Sequence, residues 1–363
     1  MTAIVTHPLV SGRFGNLVTL ARRYGISPRH IPAFAGVIFL SLLRQPGIWF
    51  EGRRYEKRIS GSELPSNPVF VIGHWRSGTT HLQNLLSQDP QFESMTIREA
   101  AMPLDFLTLG KVFRRQIEKA VPKKRLMDNV AMSADSPWEE ELALVASCPF
   151  SFYHVSFFPN AMERIFQNAV FFDGRDPTLI EAWRREYLYF LRKVSLVRPG
   201  KPFLLKNPAN TARIDLLLEM FPRARFIHIH RNPYDVFRST VDLYLKAQTE
   251  WGFHPVDRNR IVEHVLESYP LLMTAYLEQR DLVPKDCLVE VAFMDLEAKP
   301  METLSSIYSD LSLEGSTRAT DRFQHYLREV GNYRKNDPGL AEEEKRRVRS
   351  EWESFFDAFG YEV

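Results

Sequence analysis

The chain has 363 residues, ordinary apolar (44%) and charged (25%) fractions and a formal net charge of +2. That length accommodates one large α/β core with a smaller appendage, and the near-neutral balance excludes a global bias toward nucleic acid, so any anion site must be local. Cys148 and Cys287 are too few for a disulfide framework and no signal peptide opens the chain, so a reducing, cytoplasmic setting is the expectation.

The first distinctive stretch is RHIPAFAGVIFLSLLRQPGIWF, residues 29–50, apolar with basic edges and punctuated by Pro32, Pro46 and Gly47. Its continuous apolar run is about half of the roughly 20 residues that cross a bilayer, so no membrane span is predicted. Two readings remain: a helix packed on the catalytic domain, or an in-plane helix that holds the chain peripherally at the inner membrane face and delivers it to a lipid-like substrate. GSELPSNP (61–68) reads as a connection. It divides a helical extension, residues 1–62, from a main domain, residues 63–363.

From residue 69 the pattern is strand, turn, helix, repeated. PVFVIG is a continuous apolar run, as a strand buried on both faces should be, and Leu82, Leu85 and Leu86 then recur at helical spacing until Asp89-Pro90. PFLLK (202–206) and ARFIHIHR (224–231) predict two further strands, each followed by a helix; behind the second, Asn232 can cap and Pro233 can take the first helical position. CLVEVAF (287–293) predicts a fourth strand. Strands separated by helices predict a P-loop-like parallel β-sheet flanked by helices.

The turn after the first strand, GHWRSGTT (73–80), can aim backbone N–H groups, the open donors of the next helix and the hydroxyls of Ser77, Thr79 and Thr80 at one tetrahedral oxyanion. It nearly fits the pattern G-x-x-x-x-G-K-[ST], but Thr79 stands in the lysine slot and the cation, Arg76, lies inside the loop. That counts against a kinase using ATP and Mg²⁺. In HRNPYDVFRST (230–240), Arg231 ends a strand just before a helix N-terminus and Ser239 follows on that helix. In one parallel sheet the two clusters share the carboxyl edge, where such folds bind ligands.

Together RSGTT, LLKNP and FIHIHRNPYDVFRST resemble the sulfotransferases that use 3′-phosphoadenosine 5′-phosphosulfate (PAPS), especially a bacterial branch with a GHWRSGTTHL-type loop; the likeness covers roughly residues 69 to 340. The resemblance implies that Arg76, Ser77, Gly78, Thr79 and Thr80 bind the 5′-phosphosulfate and that Arg231 and Ser239 bind the 3′-phosphate. It further implies that His81 and Phe293 lie against the adenine and that Arg334 and Lys335, in NYRKN, return to the 3′-phosphate. Adenosine 3′,5′-bisphosphate would be the product.

Sulfuryl transfer, by the same resemblance an in-line displacement, needs positioning and cations where charge develops on the leaving oxygen; Arg76 and Lys206 are the candidates. No metal is implied, and no His/Cys ligand spacing is present. For the general base the sequence departs from many cytosolic members, which place a histidine two residues after the lysine; Pro208 is there. His228 and His230 alternate in a buried strand and read as satisfied core residues. Glu99 is the candidate, as in tyrosylprotein members, with Glu93 a poorer one; a helix glutamate in solvent is the competing reading. In SADSPWEEELAL (133–144) Ser136 or Asp135 can cap a helix, while Glu139 or Glu140 offers a second base or an acceptor contact. Aromatics in CPFSFYHVSFFPN (148–160) serve either core packing or an apolar acceptor pocket. The sequence thus predicts sulfation of a hydroxyl on a small-molecule or lipid-like acceptor, with a P-loop kinase and a non-catalytic nucleotide-binding protein as alternatives.

Overall fold

The computed structural model describes residues 6–121, 132–331 and 339–362. In chain order the principal elements are α1 (Ile31–Ser60), β1 (Val69–Ile72), α2 (Thr79–Leu86), α3 (Glu140–Ser147), α4 (Pro177–Val197), β2 (Leu204–Lys206), α5 (Ile214–Met220), β3 (Arg225–His230), α6 (Pro233–Trp251), α7 (Arg258–Gln279), β4 (Leu288–Ala292), α8 (Ser316–Val330) and α9 (Glu342–Phe359). They fall into two units. One comprises Met1–Leu64, Met95–Gly200 and Asp242–Ile261, the other Pro65–Ser94, Lys201–Val241 and Val262–Val363. The junction at Leu64 lies beside the predicted boundary, yet residues 1–62 do not stand alone: they group with the middle of the chain.

The second unit carries the sheet, four parallel strands in the order β2-β1-β3-β4. All four sequence-predicted strands are present. β1 is buried at every residue, which is why it reads as an unbroken apolar run, and the middle of β3 is likewise buried although His228 interrupts its apolar residues. Leu82, Leu85 and Leu86 of α2 pack with Val71, Ile227 and Ile229 in one core. Because every strand runs the same way, their C-termini share an edge: the 73–78 loop follows β1, Asn207 follows β2, Arg231 follows β3 and Phe293 follows β4. Register tightens this, since Val71 lies opposite both Lys206 and Ile227, and His230 lies opposite Ala292.

In the helical unit, α1 runs unbroken through Pro46 and Gly47 for 30 residues. Residues Pro28–Ser60 are long and apolar enough to cross a membrane by length and composition, whereas the shorter apolar run had argued against any span. One face of α1, however, is buried in protein. Ser41 donates to the Gly12 carbonyl at 2.8 Å, Arg44 grips Asp105 through Nε at 3.1 Å and Nη2 at 2.5 Å, and buried Glu51 accepts from Lys193 Nζ of α4 at 2.6 Å. Losing one member of such a buried pair costs about 3–5 kcal/mol, so this face is pinned.

One local expectation is corrected, and one open reading is decided. Neither Ser136 nor Asp135 caps α3, whose N-cap is Glu139. Residues 136–138 are instead held extended against 95–97: Ile97 N–H donates to the Ser136 carbonyl at 3.0 Å and Trp138 N–H to the Met95 carbonyl at 2.9 Å, while Asp135 pairs with Arg98. In the aromatic stretch, Phe152, Phe157 and Phe158 are buried and pack on Phe166, His7 and Tyr24 respectively. Those rings are core.

Candidate active site

The sheet edge brings the two predicted phosphate clusters together. The 73–78 loop can turn so sharply because Gly73 takes φ +136° and Gly78, the N-cap of α2, takes φ +103°. Arg76 itself sits at φ +70°, a backbone setting that L side chains rarely hold. From there its Nε donates to Ser239 Oγ of α6 at 2.8 Å. Arg231 Nη1 donates to the Arg76 carbonyl at 3.4 Å. Three residues predicted to contact opposite ends of one donor, Arg76, Arg231 and Ser239, therefore meet in one hydrogen-bonded group.

Arg231 is oriented on two sides. Its Nε and Nη2 both donate to Asp235 Oδ2, at 3.1 and 2.9 Å, in the first turn of α6, and its guanidinium lies 4.9 Å from the centroid of the Phe293 ring. The same ring abuts the loop, for a Cβ added to Gly78 would fall 2.2 Å from Phe293 Cδ2. Phe293 is thus wedged between the loop and Arg231. The start of α6 is as read from sequence: Asn232 Oδ1 accepts from Tyr234 N–H at 3.0 Å and Pro233 is the first helical residue.

The hydroxyls differ in how they are used. Ser77 is buried and donates to the His74 carbonyl at 2.7 Å, so that hydroxyl ties the loop together. Thr79 and Thr80 open α2, whose N-terminal N–H groups face the loop's end of the helix. His81, in the first turn of α2, lies 6.4 Å from the Tyr326 ring of α8, and burial lowers its pKa. Lys206 closes β2 at 1% exposure, beside Val71 in register. Arg334 and Lys335 lie outside the described residues.

Sequence reasoning missed the struts of the loop. Thr211 Oγ1 accepts from Gly73 N–H at 2.8 Å, pinning the first residue of the turn to the segment after β2. His74 is buried against Tyr269 of α7, ring centroids 4.9 Å apart, with Nδ1 2.8 Å from the Trp75 carbonyl; burial pushes its pKa down to about 4. Only the Arg231/Asp235 pairing had a readable signal, its i,i+4 spacing. His228 is core as expected but not satisfied. Among the described residues neither ring nitrogen has a hydrogen-bond partner, Glu290 Oε1 lying 4.0 Å from Nδ1, and the imidazole stacks on Tyr276 at 3.7 Å; burial drives its pKa well below the ordinary histidine value.

Glu99, Glu139 and Glu140 belong to the helical unit, and Glu93, the poorer candidate, to the unit that carries the sheet. Glu99 is buried at 5% exposure and holds the third position of a capping box, its Oε2 accepting from Thr96 N–H at 2.8 Å and from Thr96 Oγ1 at 3.1 Å. Arg198 Nη2 donates to the same oxygen at 2.7 Å. Glu140 Oε1 accepts from Tyr187 OH at 3.0 Å, and Glu139 is the buried N-cap of α3. Among the described residues no group of three or more His, Cys, Asp and Glu is placed to hold a metal ion.

Residues 68–317 match the model of the sulfotransferase family. The chain belongs to that family. This sulfotransferase is 31% identical over 325 residues, 89% of its length and 83% of theirs, to the omega-hydroxy-beta-dihydromenaquinone-9 sulfotransferases Stf3 of Mycobacterium bovis and Mycobacterium tuberculosis. Its fold is similar to that of sulfotransferase STF9 from Mycobacterium avium, at a TM-score of 0.71 and 19% identity over 97% of this chain and 98% of that one. Sulfotransferase STF1 from Mycobacterium tuberculosis gives 0.64 at 20% identity over 93% and 90% of the two chains. The parallel sheet flanked by helices and the predicted activity, sulfuryl transfer from a PAPS-type donor, stand; the kinase and non-catalytic alternatives do not.

Proposed function

We propose that the enzyme transfers the sulfuryl group of PAPS to a hydroxyl of a lipid-like acceptor. The observation that carries the donor is the meeting of Arg76, Ser239 and Arg231 at the sheet's carboxyl edge. In this reading the loop from Arg76 to Thr80 grips the 5′-phosphosulfate and Arg231 with Ser239 the 3′-phosphate. Phe293 and His81 flank the base, and Arg334 and Lys335 join the 3′-phosphate. The acceptor class rests on the mycobacterial relatives, whose name gives a hydroxylated dihydromenaquinone, and on the apolar helix α1. Residues 29–50 then hold the protein peripherally at the cytoplasmic face of the membrane, where such an acceptor resides.

The reaction forms a bond from the acceptor oxygen to sulfur while the bond from sulfur to the bridging phosphate oxygen breaks, releasing adenosine 3′,5′-bisphosphate. Charge grows on that bridging oxygen, and Arg76 and buried Lys206 are the cations assigned to it; in a dry site their effect exceeds what it would be in water. Glu99 is assigned the acceptor's proton, with Glu139 and Glu140 contacting the acceptor. No metal takes part in these steps.

Glu99→Gln separates the two duties of that residue. Glutamine serves in a capping box as well as glutamate but gives up the charge that faces Arg198, so the fold should survive with reduced stability, while loss of the base should lower kcat by about 10²–10⁴. Turnover within a few-fold of the parent moves the base to Glu139 or Glu140. For the function as a whole, isotopically labelled PAPS is supplied with fractionated host metabolites and lipids. Label entering a hydroxylated lipid fraction is the expected result; label confined to water-soluble metabolites refutes the acceptor class, and no label in any fraction refutes the donor.

A further inference from the structure

The face of α1 opposite its buried side is apolar for most of its length and then cationic. Ile31, Phe39, Leu42, Leu43, Trp49 and Phe50 are exposed, Phe39 at 61%, Leu43 at 64% and Trp49 at 65%. At about 100° per residue the six fall within an arc of about 120°, which places them on one side of the helix. The stripe from 31 to 50 is about 30 Å long. A monomeric protein in water rarely leaves so many large apolar side chains in one row.

Immediately beyond it, the same side of α1 carries exposed Arg53, Arg54, Lys57 and Arg58. The guanidinium of Arg53 lies 5.5 Å from the Trp49 ring centroid, and those of Arg54 and Arg58 lie 5.8 and 5.4 Å from that of Tyr55, so these cations are held beside the aromatic end of the stripe. Glu56 is the acid among them, accepting from Tyr189 OH at 3.3 Å. A second patch adjoins. A Cβ on Gly47 would lie 2.6 Å from Leu109 Cδ1, which sets the short helix Leu109–Val112 against α1, and there Val112 and Phe113 are exposed between Lys111, Arg114 and Arg115. Arg114 is partly countered by Glu118 at 2.9 Å.

We propose that this apolar and cationic face of the helical unit docks in the plane of an anionic phospholipid bilayer. The inference deepens the membrane contact proposed above, but it stands on this surface alone and needs no acceptor. Large apolar and aromatic side chains enter the headgroup boundary, and arginine and lysine on the flank meet the lipid phosphates. A span is disfavoured because the other face of α1, from Phe34 to Ile59, is packed in protein and carries Ser41, Arg44 and Glu51 in hydrogen bonds that hydrocarbon could not replace. A second copy fits worse, since the cationic end of the stripe would face its own charges.

The test is flotation of the full chain with phosphatidylcholine vesicles, with and without phosphatidylglycerol, in low and high salt, without donor or acceptor. Binding that requires phosphatidylglycerol and weakens with salt is expected, with Trp49 emission, identified against Trp49→Phe, blue-shifted and quenched by brominated lipid. Arg53→Glu with Arg54→Glu should weaken binding roughly twentyfold or more, and Leu43→Ser with Trp49→Ser should abolish it. Both variants should bind adenosine 3′,5′-bisphosphate in calorimetry as the parent does, which separates this proposal from the donor reading. Failure of the parent to float, floating indifferent to both substitutions, resistance to alkaline carbonate extraction, or a dimer that Leu43→Ser disrupts in place of vesicle binding each overturns it.

Discussion

Arg76→Ala is expected to lower kcat by roughly 10³-fold while the protein remains folded, the scale lost when a preorganised cation or donor is taken from a developing oxyanion. The side chain is exceptional on two counts: it springs from a left-handed backbone position, and its Nε is already aimed at Ser239 Oγ, 2.8 Å away. Both features fix the guanidinium before the donor arrives, so little reorganisation is needed in the transition state. Alanine keeps the strained backbone position but removes the charge. The measurement is single-turnover transfer from labelled PAPS beside thermal unfolding of the variant. Near-normal transfer would remove the loop from the mechanism, and a large loss with an unchanged melting curve would place the effect in the chemistry.

Gly73→Ala is expected to damage the fold itself. At φ +136° a Cβ would lie 2.2 Å from the Ile229 carbonyl oxygen and 3.0 Å from Ser77 Oγ. The first neighbour is backbone of β3, a strand bonded on both sides, and cannot retreat as a flexible side chain would. Backbone strain and overpacking together should cost about 3 kcal/mol or more, visible as a fall in Tm of roughly 5–10 °C. Gly200 is the control. It also has positive φ, +87°, but nothing among the described residues lies within 4 Å of its Cβ position, so Gly200→Ala should cost only about 1–2 kcal/mol. Equal melting curves for the two variants would refute the close approach at Gly73.

The sheet was legible because its physics is local. Val69 to Ile72 is an apolar run, Phe226 to Ile229 is apolar but for His228, and the order of strand and helix leaves few ways to connect them. Residues at the carboxyl edge followed from topology. What could not be read were contacts joining distant segments: Thr211 on Gly73 spans 138 residues, and no periodicity announces it. The carboxylates show a different limit. A glutamate three residues after a threonine signals a capping box as strongly as it suggests a base, and only the coordinates disclose that Arg198 meets Glu99. In α1, Pro46 and Gly47 punctuate the sequence, yet Gly47 is where Leu109 packs, a role invisible without the partner.

The wedge of Phe293 between Gly78 and Arg231 has a mechanical corollary. One ring touches both the 73–78 loop and Arg231, so neither can shift without disturbing its counterpart; in the donor assignment proposed above these face the sulfate end and the ribose end. A ligand spanning the two is chelated: once one end is seated, the other is presented at high effective molarity. On that assignment, fragments carrying a single phosphate would forfeit that advantage, and span would set the donor apart from the far commoner mononucleotides of the cell.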